Sequence, residues 1–241
     1  MTAGGPVALV AGATGPIGRA VVRALAADGA RVAALSRSGD RVDGCVQALA
    51  CDLGDPAALD AALSAVEAGS GPVEILVNAA HPPAGFGTPV AELDPGVLAA
   101  QLAGAAAHAA LCARVVPGMR RLGRGRVVYV AGASMARPLP GAGGYAAAKA
   151  AGAALTRQLA LEEGTAGITA NVVAPGRVLD PESASEPSAS AAALGQELAR
   201  RLALPTFPSP DDVAAAVRLL VASPALTGQT LWVTGGEPIT A

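Results

Sequence analysis

Short apolar runs alternate with longer stretches of helical periodicity along most of the chain. The apolar runs have the length of strands and fall at 6–12, 31–35, 46–50, 73–80, 126–132, 168–176 and 230–236. Because they are largely apolar on successive residues, they predict strands covered on both faces, as in a parallel sheet. The helical stretches lie between them, at 17–28, 56–68, 95–122, 143–163, 190–203 and 210–222. This alternation predicts an α/β fold with a doubly wound, seven-stranded parallel sheet and three α/β/α layers.

The composition narrows the class of protein. A length of 241 residues predicts a single domain over 1–241, and a content of 52% apolar but only 2% aromatic residues predicts a core of Ala, Val and Leu. The net charge of −2, with no run of Lys or Arg, gives no reason to expect a nucleic-acid partner. Cys45, Cys51 and Cys112 have no CxxC spacing and favour buried free thiols over a disulfide or a metal site.

Membrane segments and leaders are not expected. The N-terminal apolar run has strand length and no basic residues before it, unlike a secretory signal. The longest apolar stretch, 97–117, is interrupted by Gly, His, Arg and Pro, and so falls short of the roughly 18 uninterrupted apolar residues of a spanning helix. We therefore expect a soluble, cytoplasmic protein without a membrane partner.

A glycine turn follows the first predicted strand. The segment "VALVAGATGPIGRAVVRALAADGARV" contains a strand, a turn with Gly12, Gly15 and Gly18, a helix and a second strand. Glycines at this place let the backbone approach a pyrophosphate, and the helix N-terminus offers it unpaired N–H groups and the positive end of the helix dipole. The segment predicts a dinucleotide site, while tight turns for packing alone are the alternative.

The end of the second strand indicates which dinucleotide is bound. An acidic residue here would accept hydrogen bonds from both adenosine ribose hydroxyls, but the chain has Ser36 and then Arg37. These side chains suit a 2′-phosphate and favour NADP over NAD, although Arg37 could simply be a surface arginine. Further along, Asp52 and Leu53 follow the third strand, where they could contact the adenine, and Asn78 follows the fourth.

With "YAAAK", "NVVAPG" and "TGQTLWVTGG", the chain resembles the short-chain dehydrogenase/reductase family over nearly its whole length. The 3-oxoacyl-acyl-carrier-protein reductases of its single-domain branch are the most similar in pattern. The resemblance implies a Rossmann-like NAD(P)-binding domain and hydride transfer between a nicotinamide and a carbonyl or alcohol carbon. Two segments depart from the branch: "AGATGPIG" places its middle glycine at Gly15, and the "NNAG" segment has become Asn78, Ala79, Ala80 and His81.

The resemblance also assigns residues. Tyr145 and Lys149 match YxxxK and, four apart on a helix, lie on one face. In the family the lysine favours the tyrosinate and binds the nicotinamide ribose, and the tyrosine moves the proton. The NADP-binding residues implied are Gly12, Thr14, Gly15, Ile17, Gly18, Ser36, Arg37, Asp52, Leu53, Asn78, Ala79, Ala80, Tyr145, Lys149, Pro175, Gly176 and Val178.

The serine that binds the substrate oxygen in the family is missing from its usual place. Aligned without gaps, that place, thirteen residues before Tyr145, is Gly132. Ser134 could replace the missing group if the loop is two residues shorter, and a loop serine bonded to water or backbone is the alternative. The asparagine that holds a relay water in many relatives falls on Gly104, with Gln101 as a stand-in, while His108 is expected to be an ordinary core or interface histidine.

Three functions are compatible with this pattern. The first is an NADPH-dependent ketoreductase acting on a bulky carbonyl, such as a polyketide-like or other secondary metabolite. Segment 179–203 is then expected to cover the substrate, with a plain surface linker as the alternative. The second is a non-redox dehydratase, cyclase or epimerase that uses Tyr145 as acid or base, and the third is an NADP-binding subunit with a degenerate site. The resemblance also implies a homodimer or homotetramer formed through the small faces of 99–113 and 146–155, unless these faces pack within one chain.

Overall fold

The computed structural model describes residues 4–83, 86–180, 189–237 and 239. Within these residues, seven parallel strands form one sheet in the order β3-β2-β1-β4-β5-β6-β7. The predicted doubly wound sheet is confirmed, and the strand order changes direction between β1 and β4. The strands are β1 (Val7–Ala11), β2 (Arg31–Ser36), β3 (Cys45–Ala50), β4 (Ile75–Asn78), β5 (Gly125–Val130), β6 (Ile168–Pro175) and β7 (Thr230–Val233).

Helices cover both faces of the sheet. They are α1 (Pro16–Ala27), α2 (Pro56–Ser70), α3 (Pro95–Leu122), α4 (Gly143–Glu163), α5 (Ala189–Ala199) and α6 (Pro210–Ala222). One apolar cluster joins the sheet to α2, α3 and α4 through residues such as Leu59, Leu111 and Ala160. A second joins the other face to α1 and α6 through Val21 and Val217. The three-layer α/β/α arrangement is therefore confirmed.

Local chemistry explains where several helices begin. Asp55, Asp94 and Ser209 cap α2, α3 and α6 by accepting hydrogen bonds from backbone N–H groups of the first turn, and a proline follows each cap. Both features favour a helix start, because the cap pairs N–H groups that have no partner within the helix and the proline ring fixes a helical φ.

Some predicted elements are too long at their C-terminal ends. The strands predicted to reach residues 80, 132 and 236 end at Asn78, Val130 and Val233, because the following residues turn into loops at the edge of the sheet. The helix predicted over 190–203 is Ala189–Ala199, and the N–H groups of residues 203 and 204 instead donate to the Gly235 carbonyl, at 3.0 and 2.9 Å.

The helix α3 is unusually long and apolar. It is the one helix in the described part of the chain whose length and mean hydropathy, 1.5, would allow it to cross a membrane. Apolar core helices have the same properties, and here Leu111, Val115 and Met119 of α3 are buried in the cluster under the sheet. Cys45, Cys51 and Cys112 are buried and unpaired, as the sequence predicts.

Candidate active site

The glycine turn between β1 and α1 is closely packed except at its middle glycine. Gly12 has a φ of +76°, and a Cβ there would lie 2.6 Å from the Ala80 nitrogen. A Cβ on Gly18 would lie 2.1 Å from the Gly12 carbonyl oxygen. At Gly15 the nearest atom, the Gly12 carbonyl oxygen, would be 3.5 Å away, which is an ordinary contact distance, so this position is not crowded. Two glycines therefore shape the turn, and the third leaves room for a ligand to approach the backbone.

The N-terminus of α1 fits a phosphate. Gly15 occupies the capping position and supplies no side-chain hydrogen bond, in contrast to the capped helices α2, α3 and α6. Pro16 follows it, and its missing N–H costs little because the first helical N–H has no partner within the helix. The remaining N–H groups of this turn and the helix dipole suit the pyrophosphate of a dinucleotide.

The side chains predicted to hold the adenosine lie beyond β2 and β3. The Ser36 hydroxyl accepts a hydrogen bond from the Gly39 N–H at 2.9 Å. Arg37 is exposed, and its guanidinium has no hydrogen bond or ion pair within the described ranges. Asp52 is also exposed and accepts from the Gly54 N–H at 2.9 Å, while Leu53 is half-buried. Arg37 is thus an exposed cation directly after β2, without a partner among the described residues.

Asn78 is part of a buried polar network at the end of β4. Its Oδ1 accepts from the Ala80 N–H at 3.0 Å, and its Nδ2 lies 3.4 Å from His108 Nδ1. His108 Nε2 in turn lies 3.0 Å from the Thr156 hydroxyl. Burial and the charge of Lys149 lower the pKa of His108 to about 4, so this ring is neutral. The interpretation of His108 as a core histidine is confirmed.

The other residues assigned to the cofactor lie on loops that leave the same edge of the sheet. Because all seven strands are parallel, their carboxyl ends meet at one edge, and a ligand crevice is expected there. Thr14 belongs to the turn after β1 and Ile17 to the first turn of α1. Ala79 and Ala80 belong to the segment after β4, and Pro175, Gly176 and Val178 to the end of β6 and its loop.

Tyr145 and Lys149 lie in the first turns of α4, close to the end of β5. The Lys149 ammonium is buried and donates a hydrogen bond to the Val130 carbonyl at 3.0 Å. It lies 5.7 Å from the centroid of the Tyr145 ring and 5.3 Å from that of Tyr129. The predicted pair is therefore together, with the ammonium held by backbone behind the phenol.

Burial shifts the pKa of both members of the pair, while the expectation that Lys149 favours a tyrosinate stays a prediction. Burial lowers the pKa of Lys149 to about 8 and raises the pKa of the Tyr145 phenol above its usual value. The ammonium is bonded to a carbonyl oxygen of β5 rather than to the phenol oxygen. In the protein alone, Tyr145 is a protonated phenol at neutral pH, which is the form a proton donor needs.

Ser134 lies beside the phenol, in a 3-10 turn over Ala133–Met135. A Cβ on Gly132 would lie 3.1 Å from the Tyr145 hydroxyl oxygen and 3.5 Å from the Ser134 Oγ, so both hydroxyls flank one point. Ser134 is 8% exposed, and its Oγ has no hydrogen-bond partner in the part of the chain that the structure describes. A buried hydroxyl without a partner is costly unless a ligand supplies one.

Three aromatic residues near Tyr145 were not predicted from the sequence as parts of a site. The rings of His81 and Phe86 contact the Tyr145 ring, with centroids 4.9 and 5.3 Å away. Tyr129 lies beneath, fully buried, with a hydroxyl that has no partner among the described residues. The sequence feature that could have indicated them is how rare these residue types are, since the chain has two Phe, two Tyr and two His in all.

The segment predicted to cover the substrate, 179–203, is described in part, and 181–188 lie outside the described residues. Its C-terminal end is tied to the site by a buried carboxylate. Glu237 forms an ion pair with Arg137, which follows the Ser134 turn, and lies 3.9 Å from Arg201. The segment, the C-terminal loop and the serine loop are thus linked, while its role as a cover stays a prediction.

A glycine turn at the point where a doubly wound sheet changes direction, with a half-buried phenol and a buried ammonium near the end of β5, defines a dinucleotide-dependent oxidoreductase. A family model described as Enoyl-(Acyl carrier protein) reductase matches residues 12–237. The chain belongs to the short-chain dehydrogenase/reductase family.

Several characterised proteins are similar over nearly the whole chain. The "Granaticin polyketide synthase putative ketoacyl reductase 1" of Streptomyces violaceoruber is 34% identical, over 98% of this chain and 94% of its own. The 3-oxoacyl-[acyl-carrier-protein] reductase MabA of Mycobacterium tuberculosis is 34% identical, over 95% and 91%. A short-chain type dehydrogenase/reductase structure from Mycobacterium ulcerans, 23% identical, has a TM-score of 0.87 over 96% of this chain and 89% of its own, which shows the fold.

Proposed function

We propose that this short-chain oxidoreductase is an NADPH-dependent ketoreductase in which Tyr145 protonates the carbonyl oxygen. The observation that carries the proposal is the convergence of the Tyr145 and Ser134 hydroxyls on one point beside Gly132, at the carboxyl end of β5. That point is at bonding distance from the Gly132 Cα, so we propose that a carbonyl oxygen binds next to it, farther from the backbone, where both hydroxyls can donate to it. The site therefore keeps two donors for the substrate oxygen although position 132 has no side chain.

Each residue has a distinct part in the reaction. When bound, the nicotinamide supplies the hydride that reaches the carbonyl carbon. Tyr145 gives its proton to the oxygen, which becomes the alcohol hydroxyl, and its raised pKa keeps that proton available at neutral pH. Ser134 stabilises the negative charge that develops on the oxygen. Lys149, anchored on the Val130 carbonyl, holds positive charge behind the phenol and offers its remaining N–H groups to the cofactor ribose.

The substrate we propose is a bulky carbonyl compound, such as a polyketide-like intermediate of secondary metabolism. Two characterised relatives are named as ketoacyl or 3-oxoacyl reductases, and one of these names refers to a polyketide synthase. Phe86 is 59% exposed beside Tyr145 and offers an apolar surface to a large ligand. The unpaired cysteines fit a reducing compartment, so we place the reaction in the cytoplasm.

The proposal is tested by mixing the purified protein with NADPH and a panel of 3-oxoacyl thioesters and bulky aromatic ketones. We expect NADPH oxidation with one alcohol formed per NADPH consumed. Product without a change in nicotinamide absorbance would instead identify a dehydratase, cyclase or epimerase. Tight NADPH binding without any product across the panel would identify a degenerate binding subunit.

Arg37 should determine the choice of cofactor. Replacing it by alanine removes the charge that faces the 2′-phosphate, and a charge-assisted hydrogen bond is worth about 1.5–3 kcal/mol. We expect the Kd for NADPH, measured by fluorescence titration, to rise about tenfold to a hundredfold, since about 1.4 kcal/mol corresponds to a factor of ten. The Kd for NADH, which lacks that phosphate, should stay within a factor of about two. Equal weakening of both cofactors would contradict the assignment.

The exposed faces of α3 and α4 should join two copies of the chain. Leu102, Ala106, Ala154 and Leu155 are exposed on these helices, although their opposite faces pack against each other within the chain. We propose a homodimer through this surface, or a homotetramer that contains it. Sedimentation should show the assembly for the wild type and smaller particles for Ala154→Arg, because a long cation would separate the closely packed faces. The control Ala68→Arg, on the exposed side of α2, should keep the wild-type mass.

A further inference from the structure

The imidazole of His81 lies against the phenol of Tyr145. The two rings are 4.9 Å apart between centroids and meet at 87°, an edge-to-face contact. This geometry is favourable for aromatic rings, and it limits how the phenol can tilt about its side-chain bonds. His81 follows β4 and Tyr145 lies in the first turn of α4, so the contact joins a loop and a helix that are far apart in sequence.

Gln101 fixes the orientation of that imidazole. The Gln101 Nε2 donates to the Pro83 carbonyl at 2.6 Å, and its Oε1 lies 3.1 Å from His81 Nε2. A flipped amide would direct oxygen at oxygen, so the Gln101 Oε1 is the acceptor and His81 Nε2 carries the proton. Gln101 is 4% exposed, which makes the anchor rigid and shields it from water.

The other ring nitrogen faces the helix α3. Burial and the charge of Lys149 lower the pKa of His81 to about 4, against the opposite effect of the Gln101 bond, so the ring is neutral. The Nδ1 atom has no hydrogen-bond partner within the described ranges. A Cβ on Gly104 would lie 2.8 Å from this atom and 2.9 Å from Pro82 Cδ. Only glycine at position 104 therefore leaves space for the ring.

We propose that His81 is the positioning residue of the Tyr145 phenol, and that Gly104 is required because it makes room for the imidazole. The proposal rests on the proposed function of Tyr145 as proton donor. Neither nitrogen of His81 is hydrogen-bonded to the Tyr145 hydroxyl, since Nε2 bonds Gln101 and Nδ1 has no partner among the described residues. The imidazole instead holds the phenol ring, and two residues of α3 hold the imidazole: Gln101 at Nε2 and Gly104 beside Nδ1.

A double-mutant cycle tests the pair. His81→Gly should lower kcat by about tenfold to a hundredfold, the cost expected when a reacting group is misplaced by about 1 Å. Gly104→Ala should lower kcat similarly, because its methyl group displaces the ring. In the His81→Gly background, Gly104→Ala should lower kcat much less than in the wild type, since the imidazole is gone and only the contact with Pro82 Cδ remains. The control Gly164→Ala adds a methyl group where nothing lies within 4 Å, and it should keep the wild-type kcat.

Imidazole in the buffer separates positioning from a general structural defect. It should enter the space left in His81→Gly and raise kcat, and it should fail in His81→Gly with Gly104→Ala, where the methyl group takes part of that space. The Kd for NADPH should stay near the wild-type value in the single variants. The Tm should fall in both, because His81→Gly leaves the buried Gln101 Oε1 without a partner and Gly104→Ala overpacks its surroundings. Rescue that is equal in both variants, or a loss of NADPH binding that parallels the loss of kcat, would overturn the proposal.

Comparison with Tyr145→Phe distinguishes this inference from the proposed function. If Tyr145→Phe abolishes turnover and His81→Gly keeps the wild-type kcat, the positioning role is wrong and the function stands. If Tyr145→Phe keeps the wild-type kcat, the proposed proton donor is wrong, and the positioning role falls with it.

Discussion

Replacing Tyr145 by phenylalanine should lower kcat for carbonyl reduction by about 10²- to 10⁴-fold, the range expected when a positioned proton donor is removed. The ring and its contact with His81 remain in this variant, so the loss isolates the hydroxyl. NADPH binding should persist, because the glycine turn and Lys149 are unchanged. Stopped-flow measurement of NADPH oxidation at saturating cofactor reports kcat directly, and fluorescence titration reports cofactor binding.

Tyr129→Phe is the matched control for that experiment. The Tyr129 hydroxyl is buried without a partner among the described residues, and a Cβ on Gly152 would lie 2.5 Å from it. Removing an unsatisfied buried hydroxyl is close to neutral for stability, and the ring under Lys149 is kept. We expect wild-type kcat. Equal losses of kcat in Tyr129→Phe and Tyr145→Phe would show that removing either hydroxyl disturbs the active site. Tyr145 would then not be identified as the specific proton donor.

The pH dependence of reduction should follow the phenol. Because burial raises the pKa of Tyr145, the protonated donor persists above neutral pH in the protein alone. The rate of reduction should be flat at neutral pH, decline near pH 8 as Lys149 loses its proton, and fall further as the pH rises past the pKa of the phenol. A profile that instead rises with pH in this range would indicate that the phenolate is the active form.

The architecture was predictable because it depends on features that are local in sequence. Each strand of a sheet covered on both faces needs an apolar run, and β5 and β6 are buried along most of their length. Asp94 before Pro95 marks a helix start by itself, since the capping bond is made within the first turn. The ends of strands were less predictable, because Ala79 and Ala131 are as apolar as the strand residues before them.

The site was predictable only where its parts are close in sequence. Tyr145 and Lys149 share one helix, so their spacing alone brings them together. The approach of Ser134 to Tyr145 depends on the 3-10 turn over Ala133–Met135. The spacing of residues in the sequence does not predict the shape of that turn. The contact of His81 with Tyr145 requires a gap at Gly104, in a different element, and such a gap becomes visible only when the helices are packed.

Replacing Ser134 by alanine should lower kcat by about 10²- to 10³-fold, because one of two donors to the developing oxyanion is lost. The Tm should not fall, since the Ser134 Oγ has no partner to lose in the described part of the chain. Steady-state assays and thermal unfolding measure the two effects. Ser64→Ala, on the exposed side of α2, is the matched control and should behave as the wild type.

Gly132→Ser decides whether Ser134 has taken the place of the usual serine. A side chain at 132 would bring its Cβ within 3.1 Å of the Tyr145 hydroxyl oxygen, tighter than most contacts of a real Cβ, so the phenol or the loop must shift. We therefore expect Gly132→Ser to lower kcat in the wild-type background. If it raised kcat while Ser134→Ala had no effect, the oxygen-binding group would belong at position 132, and the role assigned to Ser134 would be wrong. A fall in both variants would instead show that the shortened loop, with its hydroxyl two residues later, is the working form of this site.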